Sequence, residues 1–235
     1  MAKLKDGSRV YGSLSVDTAI VTNSGFQNMV FLTTGTATTF NLPASVLVPG
    51  AKFKVTLIGG GAGGATTAAT SGTTGSGGGS GAVASLIFTY AVGFTSFTYT
   101  VGAAGASNAA GTASNISYNG VTYTAGTGAV AGTGGALTNI TAGITSSSIA
   151  FVGFTGAPAG SNATVQLGVG NGGDTPLGYG KGGRNADAFT AGTFPGAAGN
   201  AATGYGAGGS GGRNGANATA RAGGTGAPGL VILQY

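Results

Sequence analysis

Apolar and polar residues alternate with a period of two in several short runs, and Gly, Asn and Pro separate the runs. Residues 7–21 place Val10, Gly12, Leu14 and Val16 on one side and Arg9, Tyr11, Ser13, Ser15 and Asp17 on the other, which predicts one or two short strands. Gln27-Asn-Met-Val-Phe-Leu-Thr33 and Thr36-Ala-Thr-Thr-Phe-Asn-Leu42 flank Thr34-Gly35 and read as a second hairpin. Lys52-Phe-Lys-Val-Thr-Leu-Ile58 is the clearest strand, and it runs directly into Gly59-Gly-Gly-Ala-Gly-Gly64. Residues 82–90 and 95–101, rich in β-branched and aromatic side chains, predict a further strand pair. Asn119-Gly120 between two short alternating runs is a strong hairpin signal, and residues 148–152 and 163–169 add two more strands. No segment keeps a helical spacing of apolar residues. The pattern predicts an all-β chain with essentially no α-helix: a short N-terminal β module, a β-sandwich-like framework and Gly-rich non-regular segments.

Glycine changes this picture, because 52 of the 235 residues are Gly and many fall on a period of three. Gly72, Gly75, Gly78 and Gly81 show that spacing, as do Gly206, Gly209, Gly212 and Gly215, and then Gly223, Gly226 and Gly229. Three residues per turn is the repeat of the polyproline II helix, which leaves its backbone groups free to bond outward. A Gly-rich segment is ordinarily a flexible linker, since glycine loses the most conformational freedom on ordering. Order becomes possible when glycine faces neighbouring segments, so that N–H groups of one extended helix reach carbonyls of the next. Parallel or antiparallel left-handed extended helices can order in this way. With 6 Pro and broken triplets, a collagen triple helix does not fit.

Charge narrows the chemistry. Only 6% of residues are charged, and residues 55–173 contain none. The chain has no Cys, His or Glu, which excludes thiolate nucleophiles, imidazole bases and zinc-thiolate sites. The carboxylates are Asp6, Asp17, Asp174 and Asp187. No enzymatic activity, cofactor or metal is expected from that inventory, and the net charge of +5 is too dispersed to predict nucleic-acid binding. No apolar run reaches the roughly 18 residues of a membrane span, and no apolar core follows the N-terminal lysines, so a soluble chain without a cleaved leader is expected.

Three motifs carry competing readings. Gly59-x-Gly61-x-x-Gly64 after a strand matches the dinucleotide-binding pattern, but no helical spacing and no acidic residue follow at the required distance, so a chance match is expected. Asp174 and Asp187 have the composition of a glycosidase acid pair, which a polysaccharide-degrading spike would need. Their Gly/Asn setting instead predicts loop-stabilising hydrogen bonds. The aromatic, cationic and amide residues Tyr179, Lys181, Arg184, Asn185, Phe189, Phe194, Tyr205, Arg213 and Asn214 stand among glycines with little core to enter. Tyr and Arg are favoured anchors of recognition surfaces, so these are candidate receptor-binding residues. Plugs between subunits or covers for glycine helices are the alternative roles.

Asp6-Gly-Ser-Arg-Val-Tyr-Gly-Ser-Leu-Ser-Val16 resembles the start of many bacteriophage tail-fibre proteins. Lys54-Val-Thr-Leu-Ile-Gly-Gly-Gly-Ala-Gly-Gly64, Phe97-Thr-Tyr-Thr-Val-Gly-Ala-Ala-Gly105 and Gly223-Gly-Thr-Gly-Ala-Pro-Gly-Leu-Val-Ile-Leu-Gln-Tyr235 resemble the glycine-rich tip domain of tail fibres. The distal adhesins of T-even-like phages are similar in kind. The resemblance implies stacked polyglycine II helices at residues 170–183, 204–215 and 223–229, with exposed loops between them that contact the host receptor. It departs where Ala replaces Gly, as at Ala197, Ala198, Ala201 and Ala202. It further implies an attachment segment over residues 1–24 with Arg9, Val10, Tyr11, Leu14 and Val16 as contacts to other tail or baseplate proteins. A small β module or connector over 25–50 and a glycine-rich tip domain over 51–235 would follow, the tip divided into framework 51–169, glycine tip 170–228 and closing strand 229–235. The expected setting is the virion, at the fibre tip, as a homotrimer binding a bacterial surface glycan or outer-membrane protein. A purely structural tail or baseplate role is the alternative.

Overall fold

The computed structural model describes Phe26 and residues 28–70, 73–138, 149–151, 170–180, 196–215 and 219–235. Its strands are β1 (Met29–Leu32), β2 (Thr38–Asn41), β3 (Lys52–Ile58), β4 (Val83–Thr89), β5 (Ser96–Thr100), β6 (Ser114–Tyr118), β7 (Val121–Ala125), β8 (Leu137–Thr138), β9 (Ile149–Phe151), β10 (Gly178–Tyr179), β11 (Thr203–Gly204) and β12 (Leu230–Gln234). Among the described residues there is no helix. One antiparallel sheet has the order β1-β12-β3-β4-β9, a second has the order β2-β5-β6-β7-β8, and β10 and β11 form a two-stranded ribbon.

The alternation read from the sequence is what packs the two five-stranded sheets together. In β3 the inward residues Phe53, Val55 and Leu57 are fully buried, while Lys52 and Lys54 stay at the surface. Leu86 and Phe88 of β4 and Val231 and Leu233 of β12 join them from the same sheet. Phe97 and Tyr99 of β5, Ile116 and Tyr118 of β6 and Tyr123 of β7 face them from the other. Phe53 is the centre of an aromatic cluster, stacked on Phe88 at 5.2 Å and meeting the edge of Tyr118 at 5.2 Å. Offset and edge-on rings of this kind add about 0.5–1.5 kcal/mol per pair beyond area burial.

The turn chemistry holds where the signal is local. β6 and β7 pair through Asn119 and Gly120, whose φ angles of 50° and 73° are those of the tight I′ hairpin turn. Two other expected pairings differ. β1 and β2 do not pair with each other: β1 pairs β12 in one sheet and β2 pairs β5 in the other. Likewise β4 pairs β3 and β9, whereas β5 pairs β2 and β6. A sandwich core is filled from two sides, so consecutive strands cross from sheet to sheet. Val30 and Leu32 of β1 pack on the core from one side, while Phe40 of β2 stacks on Phe97 at 5.2 Å from the other. Residues 28–50 are thus part of the same sandwich as the strands that follow.

Beyond the sandwich, β3 continues as an extended segment, residues 59–67, which is the axis of a glycine bundle. The N–H groups of Gly59, Ala62 and Ala65 donate to Ala82, Gly79 and Ser76, those of Gly60 and Gly63 to Thr112 and Ala109, and those of Gly61, Gly64 and Thr67 to Ala227, Gly224 and Arg221. Its carbonyls accept from three further passes: Gly61 and Gly64 from Gly105 and Asn108, Ala62 and Ala65 from Gly209 and Gly212, and Gly60 from Gly128. Every third residue meets the same neighbour, the signature of a helix with three residues per turn. Six surrounding passes bond to this one segment.

Outer passes repeat the arrangement. Gly75, Gly78 and Gly81 donate to Gly212, Gly209 and Gly206, and Gly199 and Ala202 donate to Ala222 and Thr225. The stacked segments therefore begin at Gly59, earlier than the expected start near Gly170, and residues 170–173, 206–213 and 221–229 join them. A methyl group added at Gly61 would overlap the carbonyl of Ala207, and one at Gly64 would overlap that of Ser210. Larger residues return where a segment looks outward: Ala198 and Ala201 are exposed, as are Ala222, Thr225 and Pro228 at intervals of three, although Ala62, Ala207 and Ala227 are accommodated inside the bundle.

Candidate functional site

The β10–β11 ribbon is the most conspicuous presentation of candidate residues among those described. Thr175, Pro176, Leu177 and Gly178 form a tight turn in which Thr175 N–H donates to Gly178 O at 2.9 Å and Gly178 N–H donates to Thr175 O at 3.2 Å. Pro at the second turn position and Gly at the fourth are the residues such a turn favours. The Thr175 hydroxyl donates to Tyr205 O, and Tyr205 N–H donates to Leu177 O at 3.0 Å, which braces the turn against β11. Asp174 Oδ1 accepts from Gly180 N–H at 2.6 Å, the loop-stabilising bond expected of this carboxylate.

This bracing leaves two large side chains outside. Tyr179 is 75% exposed and Leu177 46% exposed, although the backbone beneath them is held by hydrogen bonds. Tyr205, by contrast, is half-buried and packs on the apolar group of Ile58, Val83, Leu230 and Ile232, where the outer face of the first sheet meets the bundle. Among the candidates, Tyr179 and Tyr205 thus share the ribbon but face different surroundings.

Arg213 and Asn214 lie inside the bundle rather than on its rim. Arg213 is 8% exposed and its main chain exchanges 2.8 Å hydrogen bonds with Ala197 in both directions. Asn214 is 1% exposed, and its side-chain amide donates to the carbonyls of Ala68 at 3.0 Å and Thr70 at 2.8 Å. That is structural use of both residues. Lys181, Arg184, Asn185, Phe189 and Phe194, the attachment candidates Arg9, Val10, Tyr11, Leu14 and Val16, and Asp187 lie outside the described residues.

The dinucleotide-like motif is occupied by the fold itself. Gly59, Gly61 and Gly64 give their N–H groups to Ala82, Ala227 and Gly224, which leaves no donors to cradle a phosphate. Sequence reasoning passed over Leu177 and Thr203. The Thr-Pro-Leu-Gly turn signature held the information for Leu177, whereas Thr203 comes to the ribbon only through its pairing with Tyr179.

A β-sandwich whose strands run on into a hydrogen-bonded bundle of extended glycine helices is the structural class of this molecule. The chain belongs to the glycine-rich domain family, whose model matches residues 33–235 and so spans both sheets from just after β1 and the whole bundle. None of the curated proteins matches the chain.

Proposed function

We propose that this chain is the tip protein of a bacteriophage tail fibre and that it mediates adhesion to the host cell surface, without enzymatic activity, through rigidly held exposed residues. The observation that carries this reading is the pairing of an extensively hydrogen-bonded glycine bundle with braced, outward side chains such as Tyr179. Ordering the bundle fixes the backbone in advance, so binding costs less conformational entropy than it would from a flexible loop. The tail-fibre resemblance of residues 6–16, 54–64 and 223–235 supplies the biological setting. Several copies per particle would multiply weak single contacts, and a homotrimer at the fibre tip is the arrangement proposed.

Attachment to other tail or baseplate proteins is proposed through the N-terminal side. Strand β1 is compatible with it, since Met29 and Phe31 are more than half exposed there and, among the described residues, β1 pairs only with β12. Adhesion is tested by adding purified full-length chain to susceptible and resistant bacteria. Saturable binding to susceptible cells and competition with infection are expected, and a chain that does neither overturns the reading. Light scattering of the same sample reads the mass, and a monomer at working concentration excludes the homotrimer.

A further inference from the structure

The ribbon places three different chemistries in one row. Tyr179 pairs with Thr203 across β10 and β11, so their side chains project from the same face. On the other side of Tyr179 the chain turns back through the Thr175–Gly178 bridge. One further step in that antiparallel register sets Asp174 opposite Tyr179. Asp174, Tyr179 and Thr203 are all exposed, while Thr175 and Gly178 are buried.

We infer that this row, Asp174–Tyr179–Thr203, is a binding site for an uncharged pyranose unit of a surface glycan. This rests on the adhesion reading and names its ligand. A phenol ring offers a flat apolar face with a polar tip, which suits the C–H face of a sugar ring. A carboxylate accepts hydrogen bonds from hydroxyls, and a threonine hydroxyl both donates and accepts. An aromatic platform with an acceptor on one side and a hydroxyl on the other therefore matches a ring that carries hydroxyls around an apolar face. The Asp174 carboxylate already takes one N–H bond from Gly180, which fixes its direction and leaves it further acceptor capacity. Its charge disfavours sialic acids and other acidic sugars, because like charges brought together across a contact are costly. The ribbon is held by main-chain bonds from Thr175, Leu177 and Tyr205, so the row exists before the ligand arrives.

Saturation-transfer NMR on the full-length chain tests the site, with methyl glucoside and methyl galactoside as uncharged probes and N-acetylneuraminic acid as the acidic one. Adhesion to susceptible cells, untreated and periodate-oxidised, is measured in parallel. Transfer to the ring C–H protons of at least one uncharged probe is expected, with none to the acidic sugar, and oxidised cells should lose binding. Tyr179→Ala and Tyr179→Leu should each weaken binding about tenfold or more, the range of an anchor residue, while Tyr179→Phe retains it. Asp174→Asn should weaken binding of the uncharged probe and relieve exclusion of the acidic one. Thermal melts confirm that each variant is folded, and Tyr179→Leu keeps the comparison meaningful should Tyr179→Ala fail to fold. Wild-type adhesion that survives periodate, or that both folded Tyr179 variants retain, overturns the sugar site and leaves adhesion standing. Loss of wild-type adhesion to untreated cells removes both.

Discussion

The hydroxyl of Ser114 donates a hydrogen bond to the carbonyl of Ile58 at 2.6 Å. The same oxygen accepts the N–H of Gly102 at 2.8 Å. Ile58 closes β3 in one sheet, Ser114 opens β6 in the other, and Gly102 begins a pass of the glycine bundle. One fully buried hydroxyl thereby joins the two layers of the sandwich to the bundle at the point where β3 becomes the bundle axis.

Ser114→Ala is expected to strand the buried N–H of Gly102, while the Ile58 carbonyl keeps its place opposite Leu230 in the β3–β12 ladder. At about 1–3 kcal/mol for an unsatisfied buried group, the loss of stability should be about 1–3 kcal/mol. The midpoint of a denaturant titration reads it, and an unchanged midpoint would show that the junction does not depend on this hydroxyl.

Glycine substitutions should divide by position. Gly61→Ala drives a methyl group into the carbonyl of Ala207 and should cost at least about 3 kcal/mol through displaced bundle bonds. Gly93 has a φ of 94° but open space around it, so Gly93→Ala should cost only about 1–2 kcal/mol of backbone strain. Equal thermal shifts for the two variants would contradict the close-packed bundle.

Asn214→Ala separates structure from recognition. Its amide serves the carbonyls of Ala68 and Thr70 from a buried position, so the variant should lose about 2 kcal/mol of stability. Cell binding per folded molecule should stay at the wild-type level. A binding defect in a variant of wild-type stability would return Asn214 to the recognition surface.

Stability should fall in alkaline solution through Tyr123. Burial raises its phenol above the ordinary value of 10.0 by penalising the charged form. Above pH 10 the unfolded chain therefore releases this proton while the folded chain retains it. The unfolded state then binds fewer protons, and stability declines as pH rises through that range. Urea unfolding at pH 9 and at pH 11 measures the decline, and Tyr123→Phe should reduce it.

Strand identity was legible where alternation and turn chemistry are local. Lys52–Ile58 alternates in burial as the pattern requires, and Asn119-Gly120 makes the turn that its residue types favour. Pairing was not legible for β1 with β2 or for β4 with β5, because the same alternation serves either sheet of a sandwich. Tyr179 was legible as a large residue among glycines. Its exposure, and the burial of Arg213 and Asn214 a short way along the chain, depended on which bundle faces look outward.

Composition alone determined that this protein is built largely from backbone: few charges, no Cys, no His, and glycine on a period of three. That follows because only glycine lets extended helices approach to hydrogen-bonding distance on several sides. Tertiary structure decided which segment became the axis, which passes surrounded it, and which side chains were left at the rim. Those choices rest on main-chain bonds between residues as far apart as Gly61 and Ala227, and such bonds carry no side-chain signature in the chain that makes them.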